Sequence, residues 1–206
     1  IFKDAKWIWI SKQSEEINQY ACFRKSFTVD KIYSESELYI SSDTDFIVYI
    51  NGMEAGRGQF PDYPSDKTYG RFSVGHLLTE GNNIIAVLAY YCGEDFSTYR
   101  KGEPGIKVAI KNDSGPICYT SGEWKCAMHP AFVSGKVPKL TVQMGFSVEF
   151  DAGKDDPNWI FSSFDDSSWN NAAVKNRQIK AMSPRPIKQL VHGKRTDAEI
   201  IISGEL

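Results

Sequence analysis

An all-β fold, an antiparallel β-sandwich, is what this sequence of 206 residues predicts. Three observations carry the prediction. Short runs that alternate apolar with polar, or are apolar throughout, recur along the chain and are separated by Gly, Pro, Asn and Asp clusters. No segment sustains a 3.6-residue apolar stripe long enough for a major helix, and no β-α-β alternation or internal repeat is present. Aromatic residues make up 13% of the chain, and their rings pack well on a pleated, half-buried surface.

The elements follow in order. Tyr20 to Val29 mixes aromatic and polar residues at nearly period 2 and predicts a strand. Glu37 to Ser41 and Phe46 to Ile50 predict two more. Asn51-Gly52 then predicts a tight type I′ hairpin turn, since both central positions need positive φ. Met53 to Ala55 returns, and Pro61-Asp62-Tyr63-Pro64 marks a loop. Thr68 to Val74 predicts a strand and His76-Leu77-Leu78 one helical turn. Asn83 to Tyr91, the most apolar run, predicts a strand buried on both faces. After a polar loop from Gly93 to Gly105, Ile106 to Lys111 alternates with its lysines outward, and Ile117 to Thr120 returns. Gly145 to Asp151 predicts a late strand, and Asp165 to Trp169 a turn capped by its own side chains. The pattern weakens after Asn176. Residues 1–178 are therefore expected to form the sandwich, and 179–206 an extended linker or the start of a next domain, with a strand expected in the tail from Ile200. The chain opens on Ile1, which suggests a trimmed or processed product.

Composition narrows the function. Net charge is −2, and no basic block interleaves with aromatics, so nucleic acid is not an expected partner. No apolar run approaches the length of a membrane span, so no membrane partner is expected either. Cys22, Cys92, Cys118 and Cys126 include no C-x-x-C pair, which argues against zinc. Buried free thiols are the simplest reading, and one Cys118–Cys126 bridge across a hairpin is the alternative. The three histidines, His76, His129 and His192, are scattered and lack a nucleophile motif.

Several acids and rings are candidates for function. The pairs Glu94/Asp95, Asp155/Asp156 and Asp165/Asp166 are adjacent in sequence. Adjacent strand residues point to opposite faces, so such pairs do not form the facing carboxylates that glycoside hydrolysis needs. Asp43 and Asp45 at i, i+2 share a face on a strand. Beside Asn51-Gly52 and Arg57 they define a polar cleft able to bind sugar hydroxyls; the alternative is a buried Asp that fixes a loop with Arg57 as its ion-pair partner. Tyr63, Tyr91 and Tyr99, in or beside loops, are the first candidates for stacking on a sugar. Trp7, Trp9, Trp124 and Trp169 fit core positions better. No cofactor is expected. Calcium is the metal that Asp151, Asp155, Asp156, Asp165 and Asp166 would suit, although they do not match an EF-hand loop.

Taken together and in order, several motifs resemble the N-terminal region of bacterial α-L-rhamnosidases of glycoside hydrolase family 78. They are Trp7-Ile8-Trp9, Phe23-Arg24-Lys25-Ser26-Phe27, Ser42-Asp43-Thr44-Asp45, Tyr49-Ile50-Asn51-Gly52, Gly56-Arg57-Gly58, Gly81 to Val87, Gly122-Glu123-Trp124-Lys125, Phe164 to Trp169 and Pro184-Arg185-Pro186. Each is weak alone, and the Asn-Gly hairpin and the Asp-Asp-Ser-Ser-Trp motif also occur in β-galactosidase-like sandwiches. The resemblance implies a galactose-binding-like jelly roll without a hydrolase active site, since the family's carboxylates sit in a later (α/α)-barrel domain. It implies carbohydrate recognition or substrate positioning, with a rhamnose-containing glycan and the C-terminal catalytic domain of the same parent chain as partners, and a periplasmic or secreted location. The alternative is a purely structural sandwich packed on the barrel.

Overall fold

The computed structural model describes residues 1–12, 16–141 and 143–190. Its strands in chain order are β1 (Trp7–Trp9), β2 (Gln19–Val29), β3 (Glu37–Ser42), β4 (Asp45–Ile50), β5 (Met53–Gly58), β6 (Asp66–Ser73), β7 (Gly81–Tyr91) and β8 (Ile106–Asn112). Then follow β9 (Gly115–Tyr119), β10 (Lys125–Met128), β11 (Lys139–Thr141), β12 (Gly145–Phe146), β13 (Asn170–Asn171), β14 (Ala173–Lys175) and β15 (Ala181–Pro184). Among the described residues the helical content is short 3-10 turns at Gly75–Leu77, Ala152–Lys154 and Pro157–Ile160. The expected all-β jelly roll is what forms.

Two sheets face each other. The first runs β14-β1-β8-β3-β6-β15, with β9 also on β8; the second runs β13-β10-β2-β7-β4-β5. Pairings are antiparallel except β15, which lies parallel to β6 from Ala181 opposite Asp66 to Pro184 opposite Tyr69. Residues 181–184, expected in an extended segment leading onward, thus add an edge strand to the first sheet. The tail from Ile200 lies outside the described residues.

The main core fills the space between the sheets. Ile8, Leu38, Ile40, Ile106, Val108 and Ile110 come from the first sheet; Phe23, Phe46, Val48, Ile85, Val87 and Tyr91 come from the second. Burial of each large aliphatic chain contributes roughly 1.5–3 kcal/mol. Strand β7 shows why its sequence lacks alternation. Ile85, Val87 and Ala89 face this core, whereas Ala86 and Leu88 face a second cluster with Cys22, Tyr49, Trp159, Phe164 and Trp169. Residues after β12 supply that second layer. The late strand expected over Gly145 to Asp151 is only two residues long, because the chain leaves the hairpin and wraps over the outer face of the second sheet.

One buried cation holds the wrap. Arg24 donates to Asp166 Oδ2 at 2.8 Å, to the Phe161 carbonyl at 3.1 Å, to the Phe164 carbonyl at 3.3 Å and to the Trp159 carbonyl. Its guanidinium also lies 5.0 Å from the Phe164 ring centre. The Asn51-Gly52 turn has φ of 52° and 82°, as type I′ requires. Gly52 is doubly constrained, because a Cβ there would sit 2.1 Å from the Phe161 ring.

All four cysteines are buried free thiols. The Cys118–Cys126 bridge does not form: Cys118 sits on β9 in the first sheet and Cys126 on β10 in the second, so they do not share a hairpin.

Candidate functional site

Three residue rows cross the outer face of the second sheet. Strand register sets Tyr20 beside Tyr90 and Tyr90 beside Asp45. The next row runs Cys22, Leu88, Ile47, Arg57. The third begins with Arg24 and Ala86 and is roofed by Trp159 and its neighbours. The wrap covers Cys22 as well, and the rest of the first two rows floor an open groove of about 410 Å³. Phe132 and Gln189 complete its walls. Tyr20 stacks on Phe132 with centroids 4.3 Å apart and planes 10° apart, and meets Tyr90 at 4.7 Å.

Two charged groups line this largely apolar groove. Asp45 Oδ1 accepts the Gln59 N–H at 2.8 Å. Its Oδ2 has no hydrogen bond among the described residues, although the residue presents an exposed edge. Packed protein on its other side raises the carboxyl pKa, opposed by the Gln59 N–H and the Arg185 charge. Arg57 is held by Glu54, with Nε to Oε1 at 2.7 Å and a second bond to Oε2. Aromatic floor, acid and guanidinium together suit a ligand with both apolar faces and hydroxyls.

The loop end of the sandwich uses similar residues differently. Asp43 follows β3 and is buried. Its Oδ1 accepts Arg177 Nη2 at 3.2 Å, its Oδ2 accepts the Tyr99 hydroxyl, and its carbonyl accepts Lys67 Nζ at 3.0 Å. Lys67 also pairs with Asp62, whose Oδ2 accepts Thr68 N at 2.6 Å and Gln59 Nε2 at 2.7 Å. Burial raises the Asp43 pKa, opposed first by Arg177 and then by Lys67. Arg177 stacks 4.3 Å over the Trp7 ring. Gly102 closes the network at a close approach: a Cβ there would stand 2.3 Å from Asp43 Oδ1.

The six residues expected to meet sugar therefore scatter. Asp45 and Arg57 line the groove together. Asp43 does not share their face, because β3 ends at Ser42 and β4 starts at Asp45; a turn replaces the strand geometry that i, i+2 assumes. The buried-Asp alternative describes Asp43, with a correction: its ion-pair partner is Arg177, and Arg57 pairs with Glu54. Tyr91 points into the main core at 2% exposure, and its hydroxyl donates to the Gly102 carbonyl at 3.0 Å. Burial pushes its pKa up to about 12. Tyr63, 68% exposed, and Tyr99 line a separate depression with Pro61 and Arg100. Sequence reasoning missed Tyr20, Phe132 and Gln189. Tyr90 was within reach: adjacent to Tyr91 on a strand, it must face the other way.

The tryptophans go largely where expected. Trp7, Trp9 and Trp124 are buried, and Trp169 is half-buried under the wrap. Acids proposed for calcium are engaged locally. Asp151 accepts Gly153 N, Asp156 accepts Asn158 N, Asp165 accepts Ser167 N and Asp166 binds Arg24. Asp155 lies 3.7 Å from His129 Nε2. Among the described residues no group of three or more His, Cys, Asp or Glu is placed to hold a metal, and no helix is long and apolar enough to cross a membrane.

A two-sheet jelly roll with an aromatic groove on one outer face defines a β-sandwich module. The lectin of Pleurotus ostreatus shares this fold at a TM-score of 0.51 and 18% identity, over 86% of this chain and 44% of the lectin. The chain is homologous, in sequence and in structure, to α-L-rhamnosidases of glycoside hydrolase family 78. The family 78 rhamnosidase of Bacillus sp. GL1 superposes at a TM-score of 0.84 with 26% identity, over 91% of this chain and 20% of that enzyme. An α-L-rhamnosidase of Formosa agariphila is 24% identical over 189 residues, 80% of this chain and 20% of its own length. The chain thus spans about a fifth of the relatives it matches. No protein-family model matches the sequence.

Proposed function

We propose that the chain is a non-catalytic, N-terminal module of an α-L-rhamnosidase-like glycoside hydrolase, and that it holds a rhamnose-containing glycan in the open groove of the second sheet. Its partner would be the C-terminal catalytic domain of the same parent chain, to which it presents the saccharide. The observation that carries this reading is the stack of Tyr20, Tyr90 and Phe132 beside the free oxygen of Asp45. A deoxy sugar has a methyl-bearing apolar face for the rings and hydroxyls for the acid. The acids give no support to catalysis within the chain, since each candidate pair has one or both members committed to turns or ion pairs.

A second reading rests on a different surface. Leu140, Met144, Val148 and Phe150 are 62%, 63%, 65% and 44% exposed along and just after the β11–β12 hairpin. Such a strip favours a sandwich that only packs on its catalytic barrel. Titration with L-rhamnose and a neutral monosaccharide panel, followed by NMR, separates the two. A saturable response that Phe132→Ala removes supports recognition. Silence toward every sugar up to tens of millimolar rejects it and leaves packing.

A further inference from the structure

The outer face of the first sheet has a charge pattern that the groove does not explain. Alternation in Ile106-Lys107-Val108 sends Ile106 to the core and Lys107 outward. Trp7 pairs with Lys175, and Ile8 pairs with Ile106, so β1 sets the Trp7 ring between Lys175 and Lys107 on that face. Around this ring lies a cleft of about 490 Å³ lined by Lys3, Lys6, Lys107, Lys175, Lys180 and Arg177. Among the described residues not one carboxylate lines it. In a chain with 24 basic and 26 acidic residues, a surface patch is expected to mix signs, so five lysines without an acid among the described lining residues form a specific concentration.

Arg177 pairs with Asp43, but the lysines lack such compensation. Among the described residues none of the five lysines forms an ion pair. Lys175 Nζ donates to the Lys12 carbonyl at 2.6 Å, and Lys107 Nζ lies 5.6 Å from the Phe2 ring centre. Burial, and the neighbouring Lys6 charge, lower the Lys107 pKa. Arg177, one of the lining residues, is 2% exposed, and among the described residues its Nη1 is buried without a partner. Like charges gathered over a low-dielectric floor repel one another, and a bound anion is the group that relieves this.

The geometry points to a second binding site on the first sheet, one that takes the carboxylate or sulfate of an acidic saccharide, with the lysines around the oxyanion and the Trp7–Arg177 stack beneath it. The saccharide part rests on the glycosidase-module reading above; the oxyanion part does not. Lysines, as mobile point charges, accept planar carboxylate and tetrahedral sulfate alike.

The test is an NMR titration of the full 206-residue chain at low salt, following the Trp7 indole N–H, assigned with Trp7→Phe. Probes are glucuronate, a sulfated monosaccharide, glucose and sodium sulfate. Expected are saturable shifts with both acidic sugars and none with glucose, weakening as salt rises past the screening range. Lys6→Gln/Lys180→Gln, both at exposed positions, should weaken binding by about fivefold or more, and a charge-matched Lys136→Gln/Lys188→Gln control by less than about twofold. Equal shifts with glucose, or no loss in the Lys6/Lys180 variant, overturn the site. Sodium sulfate binding as tightly as the sulfated sugar means an adventitious ion only and overturns the saccharide assignment. A silent Trp7 with an intact neutral-sugar response in the Phe132 groove rejects this inference and leaves the module reading standing.

Discussion

The loop end of the sandwich and the groove on its second sheet are built from the same residue types, acids, guanidinium groups and tyrosines, and differ in who satisfies them. At the loop end Asp43 has Arg177, Tyr99 and the backbone contact of Lys67 as partners, all within the protein. In the groove Asp45 spends one oxygen on Gln59 and keeps the other open beside three rings. A buried polar network whose partners are internal stabilises a conformation; an exposed acid with spare capacity can serve a ligand. The resemblance motif Ser42-Asp43-Thr44-Asp45 divides between these tasks within three residues.

Removing Asp43 should have the largest effect. Asp43→Ala leaves Arg177, already with one unpartnered nitrogen, as an uncompensated buried charge. A loss of about 3–5 kcal/mol in urea unfolding is expected, with much of it recovered in Asp43→Ala/Arg177→Met. A loss below about 1 kcal/mol would mean the network is solvated and the contrast with the groove is false.

Next comes Arg24, which separates the covered half of the second sheet from the open half. Arg24→Met strands the carbonyls of Trp159, Phe161 and Phe164 and frees Asp166. An expected loss of about 2–4 kcal/mol follows from breaking a buried, hydrogen-bonded charge. Hydrogen exchange should report the opening at Trp159 to Trp169 and leave β3 and β8 protected. Uniform loss of protection would show that the wrap and the sandwich are one unit.

These two residues also show how far the sequence could be read. Period-2 alternation and turn chemistry are local, so β2 to β9, with the Asn51-Gly52 hairpin and the doubly buried β7 among them, were legible, whereas the short strands β11 and β13 to β15 were not. Arg24 and Asp166 sit in two quoted motifs, but their pairing spans most of the chain and no local pattern encodes it. The same holds for Asp43 with Arg177. Tyr91, ranked ahead of its neighbour Tyr90, lies in the core, since on a strand a step of one residue is a change of face. Phe132 and Gln189 carry no strand pattern and meet Tyr20 and Asp45 only through the fold.

A pH series sharpens the contrast between interior and rim. His129 is buried at the edge of the wrap, and its Nδ1 accepts Ala131 N. Burial lowers its pKa, opposed by Asp155. Its folded pKa being the lower one, its contribution is present above the unfolded value of about 6.5 and is lost as pH falls through the folded value. The Asp43 pKa is raised, so its contribution has the opposite sign: present below about 3.9 and lost as pH rises through the folded value. Stability should therefore fall from about pH 7 to about pH 5 by less than about 1.4 kcal/mol per unit, and His129→Gln should flatten that slope. An unchanged slope in the variant would assign the decline elsewhere.

Arg57 should show the smallest effect on stability and the cleanest one on function. Its side chain is 38% exposed, and its partner Glu54 is 37% exposed on the same strand. Exposed pairs of this kind contribute roughly 0–1 kcal/mol, so Arg57→Ala should shift unfolding by no more than about 0.5 kcal/mol. In the groove, however, the guanidinium is the only cation among the described lining residues, on the same face as the free oxygen of Asp45. A neutral sugar held there should lose affinity in Arg57→Ala by several-fold, with the fold untouched. Were Arg57→Ala to destabilise the chain as Asp43→Ala does, the groove would be a second internal network. Its open oxygen would then be a packing feature, and the division between the two regions would disappear.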